Sequence, residues 1–225
     1  MSDNSFFREV DEAVRQDQYR ALWDKYGVYA IALAAVVVLG VGAYKGWTYW
    51  QERQAQQGGT EFTQALTLEA GGDQDKAREA FESLVKSGPQ GYQVLSRFQL
   101  AASAAKTGDP EKAVADYDAL AVDASVDRIL QDLAKVQAAT LRLDKADYAE
   151  MERRLKGLVN SDSAWRFSAR ELLGLSAFRH DNMREAEGQF SALLSDPGTP
   201  PNMRERANVM LALIVGSSSA LNATN

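Results

Sequence analysis

The residue types that carry catalysis and metal binding are scarce in this chain. It has no cysteine and a single histidine, His180, so zinc, haem and iron–sulfur sites lack their usual ligands, and a Cys–His or Ser–His nucleophile is hard to assemble. The closest approach to a metal-binding loop begins at Asp73 and Asp75. Arg78 and Leu84, however, stand where a calcium loop requires glycine and glutamate. The sequence therefore predicts a protein that is not an enzyme and holds no cofactor or metal.

Charge and composition narrow the class of partner. The net charge is −6 at pH 7, which opposes nucleic-acid binding because that requires a basic face to displace phosphate counterions. Hydrophobic residues make up 45% and charged residues 25% of the chain, as in ordinary globular proteins. With neither a nucleic acid nor a small-molecule substrate indicated, we expect the protein to act by binding other proteins.

One segment is apolar enough to cross a membrane. The run VYAIALAAVVVLGVGAY, from Val28 to Tyr44, contains no charged side chain. A helix from Tyr26 to Trp47 would extend about 30 Å, the thickness of a hydrocarbon core, and aromatic residues flank it at both ends. A cleaved export signal is the main alternative, but such signals have a short basic leader, whereas this leader of about 25 residues is rich in acids. We predict an uncleaved transmembrane helix over residues 26–50.

Basic residues near the span predict its orientation. More of them precede the span than follow it: Arg8, Arg15, Arg20 and Lys25 lie before it, and Lys45 and Arg53 after it. Because lysine and arginine accumulate on the cytoplasmic side, we expect a cytoplasmic N-terminus and an exported C-terminal domain. The chain then divides into a cytoplasmic leader (1–25), the span (26–50), an exported domain (51–216) and a flexible tail (217–225).

The leader and the span carry two weaker patterns. One side of a helix in the leader would carry Phe6, Phe7, Val10 and Val14. This fits either an amphipathic segment on the inner leaflet or a short helix that leads into the span. Gly42 and Gly46 form a GxxxG spacing that would let another helix approach closely. Such spacings also arise by chance in a Gly/Ala-rich span, so helix association stays open.

Beyond the span a pattern repeats four times. Each copy has a small residue followed four positions later by a large one, except that Met151 replaces the small residue in the third copy, and a leucine follows three positions after the large residue. The pairs are Ala77/Phe81, Ala113/Tyr117, Met151/Leu155 and Ala186/Phe190, and the leucines are Leu84, Leu120, Leu158 and Leu193. Another small residue lies twelve positions upstream of each pair, at Ala65, Ala101, Ala139 and Gly174. This spacing predicts four helix–turn–helix units in which the two helices pack closely at the small residues.

Turn residues support the same division into units. Asp73 and Asp109 stand at expected N-caps, and Pro110 fits the first helical position. Pro89 and Pro197 follow the ends of the first and fourth units. His180 falls in the turn of the fourth unit, where a polar capping role explains it. A last apolar helix from Met203 is predicted to cover the fourth unit, as the end of a solenoid requires.

The units resemble the tetratricopeptide repeat, over roughly residues 58–200. The match is degenerate, since the early tryptophan position of the repeat is filled by Glu61, Arg97, Lys135 and Arg170. The resemblance implies an all-α fold. It consists of one N-terminal transmembrane helix, an α-solenoid of about four TPR-like hairpins and a C-terminal capping helix.

The whole layout resembles the YfgM-like ancillary SecYEG translocon subunits of Gram-negative inner membranes. The leader FFREVDEAVRQDQYRALWDKYG looks like the version found in that family. The resemblance implies an inner-membrane adaptor whose periplasmic domain associates with SecYEG and with a membrane-anchored chaperone or isomerase of the PpiD type. No catalytic or binding residues are carried over, because the family supplies no such set.

Candidate contact residues come from the first helix of each unit, which lines the concave side of such a solenoid. The polar and aromatic candidates are Tyr92, Arg97, Gln99, Gln131, Lys135, Gln137, Arg166, Arg170 and Glu171. The alternative is that they are only exposed polar positions. Phe98, Phe167 and Phe178 are expected in the core. Two functions remain open, a translocon-associated adaptor for periplasmic chaperones and a scaffold for envelope assembly or cell division.

Overall fold

The computed structural model describes the backbone of residues 3–223 and the side chains of residues 23–216, except residues 30 and 34. Over this range the regular elements are helices, and no strand is present. The prediction of an all-α fold is therefore confirmed. The helices run in the order α1 Asp3–Ala70, α2 Gln74–Ser87, α3 Gln90–Lys106, α4 Pro110–Val122, α5 Arg128–Arg142, α6 Tyr148–Val159, α7 Arg166–Arg179, α8 Met183–Ser195 and α9 Pro201–Ala223.

The contacts divide the chain into two units, one that ends at Gln57 and one that begins at Gly58. Helix α1, which begins in the first unit, contains one candidate membrane span within Trp23–Ala70. Its apolar side chains are exposed; Leu33 and Leu39, for example, are 67% and 72% accessible. A core helix of a globular domain would bury these side chains, whereas a lipid-facing helix exposes them, so this stretch fits a single-pass membrane protein.

Aromatic residues cluster after the apolar run. The rings of Trp47 and Trp50 lie 5.4 Å apart, and the guanidinium of Arg53 stacks over Tyr49 at 4.9 Å. Amphipathic rings with a basic neighbour are typical of the headgroup region. A Cβ added at Gly42 or Gly46 would meet no neighbouring atom among the described residues, so the GxxxG spacing stays a prediction. The predicted amphipathic side of the leader lies outside the described side chains.

The second unit is built from antiparallel helix pairs that stack in chain order. The end of α1 pairs with α2, α3 with α4, α5 with α6, and α7 with α8. The predicted small–large pairs lie at the centre of each contact and are at most 5% exposed. At Gly174 a Cβ would lie only 2.9 Å from the Phe190 ring, so this glycine permits the close approach of α7 and α8. The predicted repeat spacing is confirmed.

The turns inside the first, second and fourth pairs use left-handed backbone. Gly72 and Gly108 have φ of +89° and +94°, and Asp181 has φ of +57°; each lies five residues before the small residue of its second helix. Asp109 accepts a hydrogen bond from the Lys112 amide at 3.1 Å, as predicted. Asp73 also occupies an N-cap position but makes no cap hydrogen bond, so that part of the capping prediction is wrong.

The side chain of Asp73 binds the Lys76 ammonium at 3.1 Å instead of a backbone amide. His180 is the C-cap of α7, and its Nδ1 lies 2.8 Å from the Ser176 carbonyl oxygen. The predicted polar capping role of this histidine is therefore confirmed, at the end of the first helix of its unit. The three core phenylalanines, Phe98, Phe167 and Phe178, are buried or half-buried in the clusters between helices, as expected.

Candidate partner-binding surface

The nine candidate contact residues lie on α3, α5 and α7, the first helices of units two, three and four. Most of their side chains have partners within the protein. We therefore describe each group by its contacts. Their role in binding another protein stays a prediction.

Two of the candidate arginines brace their own units. Arg97 donates to Asp123 at 2.6 Å, and Arg170 donates to Asp196 at 3.4 Å. Both aspartates directly follow the second helix of the unit, and each also accepts a backbone amide two residues further on. The arginine thus ties the first helix to the end of the second at the position where the repeat usually has tryptophan.

The hydrogen bonds around these two aspartates lower the pKa values of their carboxyl groups. Hydrogen bonds from Ser125, followed by the Arg97 contact, lower the pKa of Asp123 to about 2. The backbone amide of Gly198, together with Arg166 and Arg170, lowers the pKa of Asp196. Both shifts mean that the folded protein favours the ionised carboxylate.

Gln131 and Lys135 on α5 also contact their own chain. Gln131 Nε2 donates to the carbonyl oxygens of Asp123 and Val126 at 2.8 and 3.1 Å. Lys135 pairs with the buried Asp132 at 2.9 Å, and Asp132 accepts a second bond from the Ser163 hydroxyl at 2.9 Å. Gln131 thus ties α5 to the loop before it, and Asp132 ties α5 to the loop between α6 and α7.

Tyr92 and Glu171 contact neighbouring helices, and Arg166 contacts Phe167 beside it on α7. The Tyr92 ring lies 5.7 Å from that of Phe62, and a Cβ at Gly59 would approach its hydroxyl to 2.7 Å. Arg166 stacks on Phe167 at 4.0 Å. Glu171 forms a two-point pair with Arg206 of α9 at 2.6 and 2.9 Å.

The last two candidates, Gln99 and Gln137, differ from the others. In the described part of the chain neither amide has a hydrogen-bond partner. Gln137 is exposed, and Gln99 lines a shallow depression with Glu69 and Lys106. The structure therefore brings Arg97 together with Gln131 at Asp123, and Arg166 with Arg170 at Asp196. It does not gather the nine residues into one open patch.

A groove of about 590 Å³ lies between α2, α3 and α4. A stripe of α3 that includes Leu100 and Ala104 forms its floor, and α2 and α4 form its walls. Arg97 is the single candidate residue that lines it. The candidates on the first helices did not predict this groove, because its two walls come from the second helices α2 and α4. The spacing of Asp75, Arg78 and Glu82 along one side of α2 was the available signal.

A chain of ion pairs joins units two and three. Arg154 of α6 contacts Asp118 of α4 at 2.7 Å and Glu150 at 3.1 Å. Arg142 of α5 contacts the same Glu150 at 3.1 Å and Glu111 of α4 at 3.0 Å. The hydrogen bonds from Arg142, with those from Arg154, lower the pKa of Glu150. Shared carboxylates of this kind hold the stacked helices in one register.

Among the described residues, no group of three or more histidine, cysteine or acidic side chains could hold a metal ion. The stacked antiparallel pairs, with small residues at each contact, define the class of helical-repeat solenoids. The chain belongs to the tetratricopeptide repeat-like domain family, whose model matches residues 20–203. Neither a curated protein nor a solved structure matches the chain. Domains of this family bind other proteins and are typically non-catalytic.

Proposed function

We propose that the protein is an adaptor of the bacterial inner membrane, associated with the SecYEG translocon and with a PpiD-like membrane-anchored chaperone on the periplasmic side. The observation that carries the proposal is the extent of the family match. It begins at residue 20, before the apolar run, and continues to residue 203 in the last helix. The candidate span and the repeats therefore belong to one family domain, which supports an anchor that stays attached to the binding unit.

The chemistry of the repeat unit supports binding over catalysis. Its charged side chains are largely engaged with one another, as at Arg97 and Arg154, and so serve the scaffold. An anchored solenoid needs no reaction to be useful, because a tethered binding surface turns a second contact into a nearly intramolecular one. The partners themselves rest on the resemblance of the whole layout to YfgM-like subunits.

Site-specific photo-crosslinking in cells tests this function. A photoreactive residue at Gln99 or Gln137 reports on the surface formed by the first helices, and one at the exposed Lys156 of α6 serves as the control. We expect adducts with SecY or a PpiD-like chaperone from the first two positions and not from the control. Adducts confined to cell-division or outer-membrane assembly proteins would favour the scaffold function and reject the adaptor.

A further inference from the structure

The last helix, α9, has the register of the first helix of a fifth unit. In α3, α5 and α7, the residue five positions before Ala101, Ala139 and Gly174 is small and fully buried. These residues are Ser96, Ala134 and Ala169. Ala207 of α9 is likewise 1% exposed and packs in the cluster formed by α7 and α8. It lies 38 residues after Ala169, so Ala212 corresponds to Gly174.

One face of α9 is exposed where the earlier first helices are covered. Ala101, Ala139 and Gly174 are buried under the second helix of their own unit, whereas Ala212 is exposed. Three residues upstream, Val136 of α5 is 7% exposed, but Val209 of α9 is 57% exposed. The end of a solenoid normally presents a polar outer face. This face of α9 is apolar, as expected of a surface that another helix covers.

The residues on this face indicate what would cover it. Glu205, Val209 and Ala212 repeat, in type and spacing, the series Asp132, Val136 and Ala139 of α5. In unit three that series is covered by α6, through its apolar residues Met151, Leu155 and Leu158. Just beyond α6, the Ser163 hydroxyl donates to Asp132 at 2.9 Å.

We propose that this face of α9 binds an amphipathic helix of another protein, one that resembles α6. The helix carries apolar residues at the spacing of Met151, Leu155 and Leu158, and a hydroxyl or basic side chain beyond its C-terminal end that reaches Glu205. The second helices of another copy of this chain are not free to supply it, because α2, α4, α6 and α8 are each packed on their own first helix. The proposal does not depend on which membrane partner the protein has.

The test uses a peptide of defined sequence as the partner helix. A fluorescent synthetic peptide of residues 147–164 is titrated against the full chain in lipid nanodiscs, and binding is followed by anisotropy. An isolated helix of this length is only marginally stable in water, so a hydrocarbon-stapled form is used. We expect saturable binding that weakens on the order of tenfold or more with Val209→Glu or Ala212→Glu.

The control variant is Val122→Glu, which changes an 81% exposed valine of α4 and should leave the affinity unchanged. Unchanged melting of all three variants shows that they fold, as expected for exposed positions. A benzophenone in place of Met151 in the peptide should attach to α9. Three results would overturn the proposal: no binding, binding that is insensitive to both α9 variants, or a dimer of the full chain that V209E dissociates while the peptide fails to bind.

Discussion

Gly174→Ala tests whether the small residues set the distance between paired helices. The added Cβ would lie 2.9, 3.0 and 3.1 Å from three atoms of the Phe190 ring. Phe190 is 1% exposed, so the ring is enclosed by protein and cannot turn outward into solvent. Overpacking of this kind costs about 1–3 kcal/mol. Replacement of a helical glycine by alanine gains about 1 kcal/mol, so the net loss is about 0–2 kcal/mol.

Gly157→Ala is the matched control. Gly157 lies inside α6, and a Cβ there meets no atom within 4 Å among the described residues. This variant has the helix gain without the clash, so it should be about 1 kcal/mol more stable than the original protein. The two variants should therefore differ by about 1–3 kcal/mol, in favour of Gly157→Ala.

The assay is urea unfolding of the full chain in nanodiscs, followed by circular dichroism. A second variant, Gly174→Ala with Phe190→Leu, removes the ring that the Cβ would meet. In this background the cost of the Gly174→Ala change should fall, compared with Phe190→Leu alone. If Gly174→Ala stabilises the protein as much as Gly157→Ala does, close packing at the small residues is not what this position requires.

Two further predictions concern charge and topology. Asp123 and Asp196 have folded-state pKa values below the unfolded value, so the stability that they contribute is present above pH about 4 and is lost as the pH falls toward 2. The double variant D123N/D196N should therefore flatten the acid branch of a curve of stability against pH. An unchanged acid branch would contradict the assignment. The chain has no cysteine, so a single introduced cysteine is labelled specifically. A cysteine at Ser87 should react with an impermeant maleimide from the periplasm, and one at Ser5 should react only after the cells are lysed. The reverse pattern would invert the proposed orientation.

The repeat architecture could be predicted from sequence because burial imposes a strict spacing. Ala101 is small and Tyr117 is large because the two helices of a unit pack closely on each other. The same requirement recurs in each unit, so it leaves a period in the sequence. The role of Arg97 was harder to predict. Its partner, Asp123, lies 26 residues away at the end of another helix, and a charged residue on a first helix fits a binding surface and an internal brace equally well. The co-occurrence of such an arginine and aspartate in units two and four was the available signal.

The face of α9 was missed for a related reason. The apolar run from Met203 fits a capping helix, and α9 does cover the fourth unit through Ala207 and Ile214. The register that places Val209 on the opposite side becomes visible only when the buried positions of α5 and α7 fix the alignment. The pattern of apolar residues alone does not separate a helix covered on one side from a helix covered on two.

The ion pairs between units two and three also make the order of the units non-interchangeable. A shortened chain that joined unit two directly to unit four would place Glu111 and Asp118 beside α8. The positions of Arg142 and Arg154 would then be filled by Ala177 and Gln189, while Glu185 would replace Glu150. Three carboxylates would meet without a cation. The melting temperature of such a spliced protein should therefore fall by more than the loss of one repeat alone would lower it. The order of the units is therefore set by charge as well as by packing.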